Sequence, residues 1–394
     1  MTGSPLPSDA ILLHIGPHKT GTTALQGVLA DAREDMAAQG VLYPGEGGAH
    51  HLAARAVTAN PSGWKNDNQA AESWRWHRLC NLTRAHEGRV VISSEFFALA
   101  SEAQRKRIVD GLGTGRLHVV IAARNPGSIA LSTWQQVLRD GKTGGLDGWL
   151  HQQFERPEPT PVLGHQGFWS WADPATLVAK WSALVDPSRV HVIVLDETDR
   201  THLPRSIEEL LDLEPGMLTQ RTPPLSNRSL TVPEAELLQQ AIRRTRPELT
   251  WSEFSTLFRF GFASHLLRNR TPPADEARAA LPAWASEQAQ REAAEIVRRL
   301  TTSGADVIGD PQHLEKVPGS GVSIAPETLS TDLAADAIAG VVLVASRRLR
   351  ALTEELEEER AHPNLDSIST RELSRYLAAR VKAGAGRRLR GPKQ

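Results

Sequence analysis

Ile11-Leu12-Leu13-His14-Ile15-Gly16-Pro17-His18-Lys19-Thr20-Gly21-Thr22-Thr23 is the stretch that decides the fold. Its first five residues read as a buried β-strand. Gly16 and Gly21 have the spacing of the P-loop pattern G-x-x-x-x-G-K-[ST]. Both glycines permit positive φ and close approach of the backbone to a ligand. Helical spacing follows from Thr22, with Ala24, Leu25, Val28 and Leu29 on one face. The free N–H groups and positive dipole end of that helix would form an anion site. Thr20, Thr22 and Thr23 add hydroxyls and Lys19 adds a full charge. One residue departs from the pattern: Thr22 stands where lysine belongs, and Lys19 lies inside the loop.

In a triphosphate P-loop the lysine after the second glycine reaches the β- and γ-phosphates, and the next hydroxyl holds Mg²⁺. Thr23 fills the hydroxyl position here, but no lysine precedes it. A smaller phosphate group with a lysine beside its bridging oxygen suits the loop better. Lys-Thr-Gly-Thr-Thr after a strand resembles the 5′-phosphosulfate loop of sulfotransferases, which use 3′-phosphoadenosine 5′-phosphosulfate (PAPS). The resemblance implies that Gly16, His18, Lys19, Thr20, Gly21, Thr22 and Thr23 line the donor. Lys19 would then stabilise charge on the leaving phosphate. The plain alternative is a strand–turn–helix with incidental glycines.

The family also requires an arginine and a serine for the 3′-phosphate. Leu117 to Ala123 reads as a second buried strand, and Arg124-Asn125-Pro126-Gly127-Ser128 follows it. Pro126 fits a helix start. Ser132 lies eight residues after Arg124, beside Leu131 and Trp134. This run is similar to the sulfotransferase 3′-phosphate motif, with Arg124 offering its fork and Ser132 a hydroxyl. Both motifs fall at the carboxyl ends of strands, where open α/β sheets bind ligands. A surface ion pair is the bland alternative for Arg124. Arg228, in Pro224-Leu225-Ser226-Asn227-Arg228-Ser229-Leu230, is the candidate for the basic residue that the family places late over the 3′-phosphate. The glycine-rich basic loop of the cytosolic enzymes is absent, and Asn227 or Ser229 also reads as a helix cap.

Sulfuryl transfer needs a base for the acceptor's proton. Arg89 to Ser93 reads as a strand, and Glu95-Phe96 follows at its carboxyl end. Carbohydrate sulfotransferases of the heparan type resemble this in placing a glutamate base ahead of an aromatic residue, so Glu95 takes the base role. Glu95 in the first turn of a helix is a compatible structural reading. His50 and His51, after Gly47-Gly48, compete for the role. No histidine has zinc-site spacing, Cys80 is the only cysteine, and no metal is expected.

The chain has 394 residues and net charge −1, which argues against a polyanion binder such as a nucleic-acid protein. One cysteine rules out an intrachain disulfide and suits a cytoplasmic protein. The N-terminal residues lack a signal-peptide core, and no apolar run approaches a membrane span. A soluble, bacterial-type enzyme is the expectation. The strands near residues 11, 41, 90, 117 and 190 alternate with helices. They predict an α/β fold, a P-loop-like parallel sheet flanked by helices, with a helical C-terminal extension. Expected boundaries are 10–310 for the sulfotransferase-like domain, 325–381 for the extension and 382–394 for a disordered basic tail. Helices are predicted over 174–184, 206–213, 234–244, 274–300 and 331–360, and beyond a capping box at 369–372. Residues 140–148 are glycine-rich and predicted to be loop. Phe168, Trp169 and Trp171 read as core packing or as a stacking surface.

The expected activity is sulfuryl transfer from PAPS to a hydroxyl or amine of a saccharide or small metabolite, releasing 3′,5′-adenosine bisphosphate. The rivals are a P-loop small-molecule kinase and a non-catalytic binding protein of sulfotransferase-like fold. Acceptor identity and oligomeric state are not legible in the sequence.

Overall fold

Six strands form one parallel sheet in the order β2-β3-β1-β4-β5-β6. They are β1 Ile11–His14, β2 Val41–Leu42, β3 Arg89–Ser93, β4 Leu117–Ala123, β5 Val190–Val194 and β6 Asp306–Ile308. The computed structural model describes residues 4–59, 72–155, 167–221, 228–318, 321 and 328–361, with side chains to residue 357. β1, β4 and β5 are buried along their whole lengths, because helices cover both faces. Alternate residues feed two cores. Leu13, Ile92 and Val119 join one, with Trp134, Trp181 and Ile296 from helices Pro126–Arg139, Pro174–Ser182 and Ala283–Thr301. Leu12, Val91 and Val120 join the other, with Leu29 and Ile207 from helices Thr22–Asp31 and His202–Leu211.

β1 lies between β3 and β4, so the chain switches sides of the sheet there. Such a switch leaves a crevice at the strands' carboxyl ends. Gly16, Glu95 and Arg124 stand just past those three ends. The register aligns His14 with Ser93 and with Val120, which levels the ends of β1 and β3.

All five predicted strands are present, and β2 is a two-residue edge. The three-residue β6 lies beyond what the sequence predicted. The helix predicted over 274–300 starts at Ala283, directly after Pro282. A proline inside the helix would remove a backbone donor, so the chain becomes helical only beyond it. Residues 146–148, predicted as loop, open the helix Leu146–Phe154, which buries Trp149, Leu150 and Phe154. The apolar segment around Phe258 is a π-helix, Ser255–Ala263, against which the C-terminal helix Thr331–Ala361 packs. The capping box at 369–372 and the basic tail lie outside the described residues, as do 156–161. Among the described residues no helix is long and apolar enough to cross a membrane.

Gly16 is the tightest point at the strand ends. Its φ is +88°, and a Cβ there would sit 2.9 Å from Glu95 Cβ. Gly16→Ala should therefore cost roughly 1–3 kcal/mol from backbone strain alone. Urea unfolding of the variant checks this, and an unchanged midpoint would contradict it.

Three buried histidines set a pH limit. His14, His50 and His118 are each pushed down to about 4, chiefly by burial. The unfolded chain protonates them near 6.5, so their contribution is full above that pH and is lost as pH falls toward 4. Stability should drop on the order of a few kcal/mol across this window. Melting curves at intervals between pH 7 and 4 provide the measurement.

Candidate active site

The loop after β1 is built from left-handed residues. Gly16, Lys19 and Gly21 have φ of 88°, 68° and 82°. A lysine with positive φ is uncommon and marks a position held by its surroundings. Thr20 Oγ1 donates to the Pro17 carbonyl at 2.7 Å and closes the turn. Helix Thr22–Asp31 begins directly after Gly21, which offers no side-chain cap. Its first backbone donors are therefore left facing the loop.

The Lys19 side chain is half-buried, and its Nζ donates to Gln136 Oε1 at 3.0 Å. Burial first, and then the like charge of Arg139, lower its pKa to about 8. Arg139 is also held below the ordinary arginine range, by burial and by Arg259. Its Nε is buried with no hydrogen-bond partner among the described residues. Gln136 Nε2 donates to Asp140 at 3.1 Å, and Arg259 Nε lies 3.2 Å from the same carboxylate. Lys19, Arg139 and Arg259 thus outnumber Asp140, the one acid among these four. An anion entering here would relieve repulsion between cations already held close together.

Arg124 follows β4. Asn125 caps the next helix by accepting from the Gly127 and Ser128 N–H groups, with Pro126 in its first turn. Arg124 Nε and Nη2 donate to Glu197 at 3.0 and 2.7 Å. Its Nη1 donates to the Lys19 carbonyl at 3.1 Å and to Ser132 Oγ at 3.4 Å. Burial pushes the Glu197 carboxyl upward, and Arg124 outweighs this and holds it low. One edge of the guanidinium is therefore committed to Glu197 at the end of β5. The other edge spans the two sequence motifs. Ser132, Gln136 and Arg139 rise along one helix face at spacings of four and three.

Glu95 opens the 3₁₀ turn Glu95–Leu99, which Ser94 caps through the Phe96 N–H. Gln26 Nε2 donates to Glu95 Oε2 at 3.2 Å and to Ser93 Oγ at 3.2 Å. His51 Nδ1 lies 3.7 Å and His18 Nδ1 4.0 Å from the Glu95 carboxylate. Burial raises the Glu95 pKa, but the two histidines, a backbone N–H and Gln26 together bring it below the usual carboxylate value. His18 meets Phe96 and the buried Trp171 edge-on, at 5.4 and 5.6 Å. Trp171 is thus core and site wall at once.

His50 and His51 separate sharply. His50 Nδ1 accepts from the Ser93 N–H at 3.1 Å, so its Nε2 carries the proton and donates to the Pro44 carbonyl at 2.9 Å. Both ring nitrogens are engaged in holding the chain. His51 Nδ1 instead lies 3.0 Å from Ser94 Oγ, beside Glu95.

The strand ends bring together Gly16, His18, Lys19, Thr20, Gly21, Glu95, His51, Arg124 and Ser132. Thr22 and Thr23 open the adjoining helix. Arg228 stands apart. Its guanidinium donates to Glu234 at 2.7 and 2.8 Å and to the Leu266 carbonyl at 2.6 Å, in a network with Arg270 and Glu276. None of its acceptors belongs to the loop or to the Arg124 group. Gln26, Gln136 and Arg139 escaped sequence reading. Only the i+4 and i+7 spacing from Ser132 marked the last two. Among the described residues no group of three or more histidine, cysteine or acidic side chains is arranged to hold a metal.

No protein-family model matches the chain, and no curated protein does. Among solved structures, it is similar to a sulfotransferase from Alicyclobacillus acidocaldarius. The identity is 18%, the TM-score is 0.39, and the match covers 64% of this chain and 99% of that one.

Proposed function

We propose that the chain transfers a sulfuryl group from PAPS to a hydroxyl or amine of a saccharide or small-molecule acceptor. The observation that carries this reading is the contact of Arg124 Nη1 with both the Lys19 carbonyl and Ser132 Oγ. It joins the 5′-phosphosulfate motif to the 3′-phosphate motif at adjacent strand ends. The close approach of Arg139 to Lys19, and of Arg259 to Arg139, supports an anionic donor. In this reading residues 10–310 form the sulfotransferase-like domain, 325–381 its helical extension, and the enzyme works in the cytoplasm.

Each residue then has a task. The loop backbone and the first turn of helix Thr22–Asp31 hold the 5′-phosphosulfate, with the Thr20, Thr22 and Thr23 hydroxyls beside them. Arg124 and Ser132 hold the 3′-phosphate through the guanidinium edge that Glu197 leaves open. The acceptor oxygen or nitrogen bonds to sulfur as the bond from sulfur to the 5′-phosphate oxygen breaks. The electron pair stays on that phosphate, which leaves as 3′,5′-adenosine bisphosphate. Lys19 donates to the oxygen that gains charge. Glu95, ionised at neutral pH, takes the acceptor's proton. His51, 3.7 Å from Glu95, orients it or takes the proton in its place. Arg228, bound to Glu234, contributes to donor binding only after a rearrangement that frees its guanidinium.

The donor reading predicts that 3′,5′-adenosine bisphosphate raises the melting temperature without Mg²⁺. The gain should shrink as pH rises through about 8, where free Lys19 loses its proton. Stabilisation by Mg·ATP and not by the bisphosphate would instead select a kinase.

The chemical roles predict that Lys19→Ala lowers transfer roughly 10²–10³-fold with the fold retained. Glu95→Gln should keep bisphosphate affinity and slow turnover on the order of 10²-fold or more. Incorporation from radiolabelled PAPS into cell-extract metabolites reads both. Unchanged turnover in Glu95→Gln would move the base role to His51. Normal folding without transfer in the wild type would favour a binding protein.

A further inference from the structure

The C-terminal helix Thr331–Ala361 has two apolar faces, and the body of the protein uses one. On the inner face Leu333 and Ala337 are buried in the main core. Gly340 lies so close to the π-helix Ser255–Ala263 that a Cβ there would sit 2.6 Å from the Gly261 carbonyl oxygen. The outer face carries Ile338, Val342, Ala345, Leu349, Leu352 and Leu356, spaced by four, three, four, three and four residues. That alternation is the seam of a coiled coil. Ile338 is 64% exposed, Leu349 66% and Leu356 53%. Among the described residues nothing covers them. Three leucines of the seam, Leu349, Leu352 and Leu356, lie in the charged second half of this helix.

We propose that this seam is a dimer interface, and that a second copy of the chain covers it as a parallel two-stranded coiled coil. The seam is about 27 Å long at 1.5 Å per residue. A parallel pair places each of the six residues against its own counterpart, so a single two-fold axis buries the whole stripe. The flanking charges select this orientation. In the parallel register Arg348 of one copy faces the neutral Thr353 of the other. An antiparallel pair overlapping over the whole seam would place Arg348 against Arg348. Within one chain, Arg348 Nη1 lies 3.3 Å from Glu355 Oε1, which fixes both on the same edge of the seam. The inner face stays on the body, so dimerisation leaves the packing on the π-helix intact.

Sedimentation velocity of the full chain at micromolar concentration tests the proposal. We expect twice the chain mass for the wild type. Leu349→Glu combined with Leu352→Glu should sediment as a monomer, with an unchanged melting transition showing that the body is folded. A separate Leu349→Cys variant should form an interchain disulfide on mild oxidation, because only the parallel register sets position 349 against itself. The native Cys80 is buried and gives little background. A monomeric wild type would overturn the proposal and indicate that residues beyond 361 of the same chain, or solvent, occupy the seam. A dimer that persists in the double variant would place the interface elsewhere. A dimer lost in the double variant but without the disulfide would overturn the parallel arrangement.

Discussion

The guanidinium of Arg124 is the contact on which the strand-end arrangement depends. It gathers the end of β5 through Glu197, the loop after β1 through the Lys19 carbonyl, and the helix after β4 through Ser132. The Lys19 carbonyl meets it from a residue of positive φ. Left-handed backbone in a lysine costs free energy, and a charge-assisted hydrogen bond to its carbonyl offsets part of that cost. Glu197 makes the guanidinium affordable in a part-buried position, where an unpaired charge would be strongly unfavourable. The same pairing fixes the plane of the fork, so the edge toward Ser132 is oriented before any anion arrives.

Charge elsewhere at the strand ends is not balanced in this way. Arg124 has Glu197, whereas Lys19 has the neutral Gln136, and Arg139 has no acceptor for its Nε among the described residues. Burial weakens the charged form of both, and a neighbouring cation weakens each further, Arg139 for Lys19 and Arg259 for Arg139. On the other side of the loop, Glu95 keeps its charge against burial through His18, His51, a backbone N–H and Gln26. The site therefore sets both an ionised carboxylate, Glu95, and the cations Arg124 and Arg139 near Lys19. That polarity suits a reaction in which an anion is bound and a proton is removed.

The elements most legible in the sequence are those under the strictest physical constraint. A strand covered on both faces is apolar along most of its length, which is why Leu117–Ala123 and Val190–Val194 were plain despite His118 and His191. A loop that turns sharply between strand and helix needs Gly16 and Gly21, so its position was plain as well. β6 has only three residues, one of them exposed, and carries no comparable pattern. Leu146–Phe154 was obscured by Gly144, Gly145 and Gly148, although its apolar spacing was present. Gln26 and Gln136 look like ordinary surface glutamines, since their partners, Glu95 and Lys19, are more than 65 residues away in the chain. His50 and His51 show the same limit at adjacent positions. Only the path of the backbone decides that one ring bonds to Pro44 and Ser93 while the other reaches Glu95.

The π-helix Ser255–Ala263 stands between the strand ends and the C-terminal helix, and both neighbours constrain it. Arg259, near its middle, is bound to Asp140, which also accepts from Gln136, the partner of Lys19. Gly261, two residues on, gives the space for Gly340 of the long helix. A wide helical turn directs successive side chains differently from an α-helix of the same sequence. This one short segment thus holds a charged group toward Asp140 and a glycine toward a packed helix.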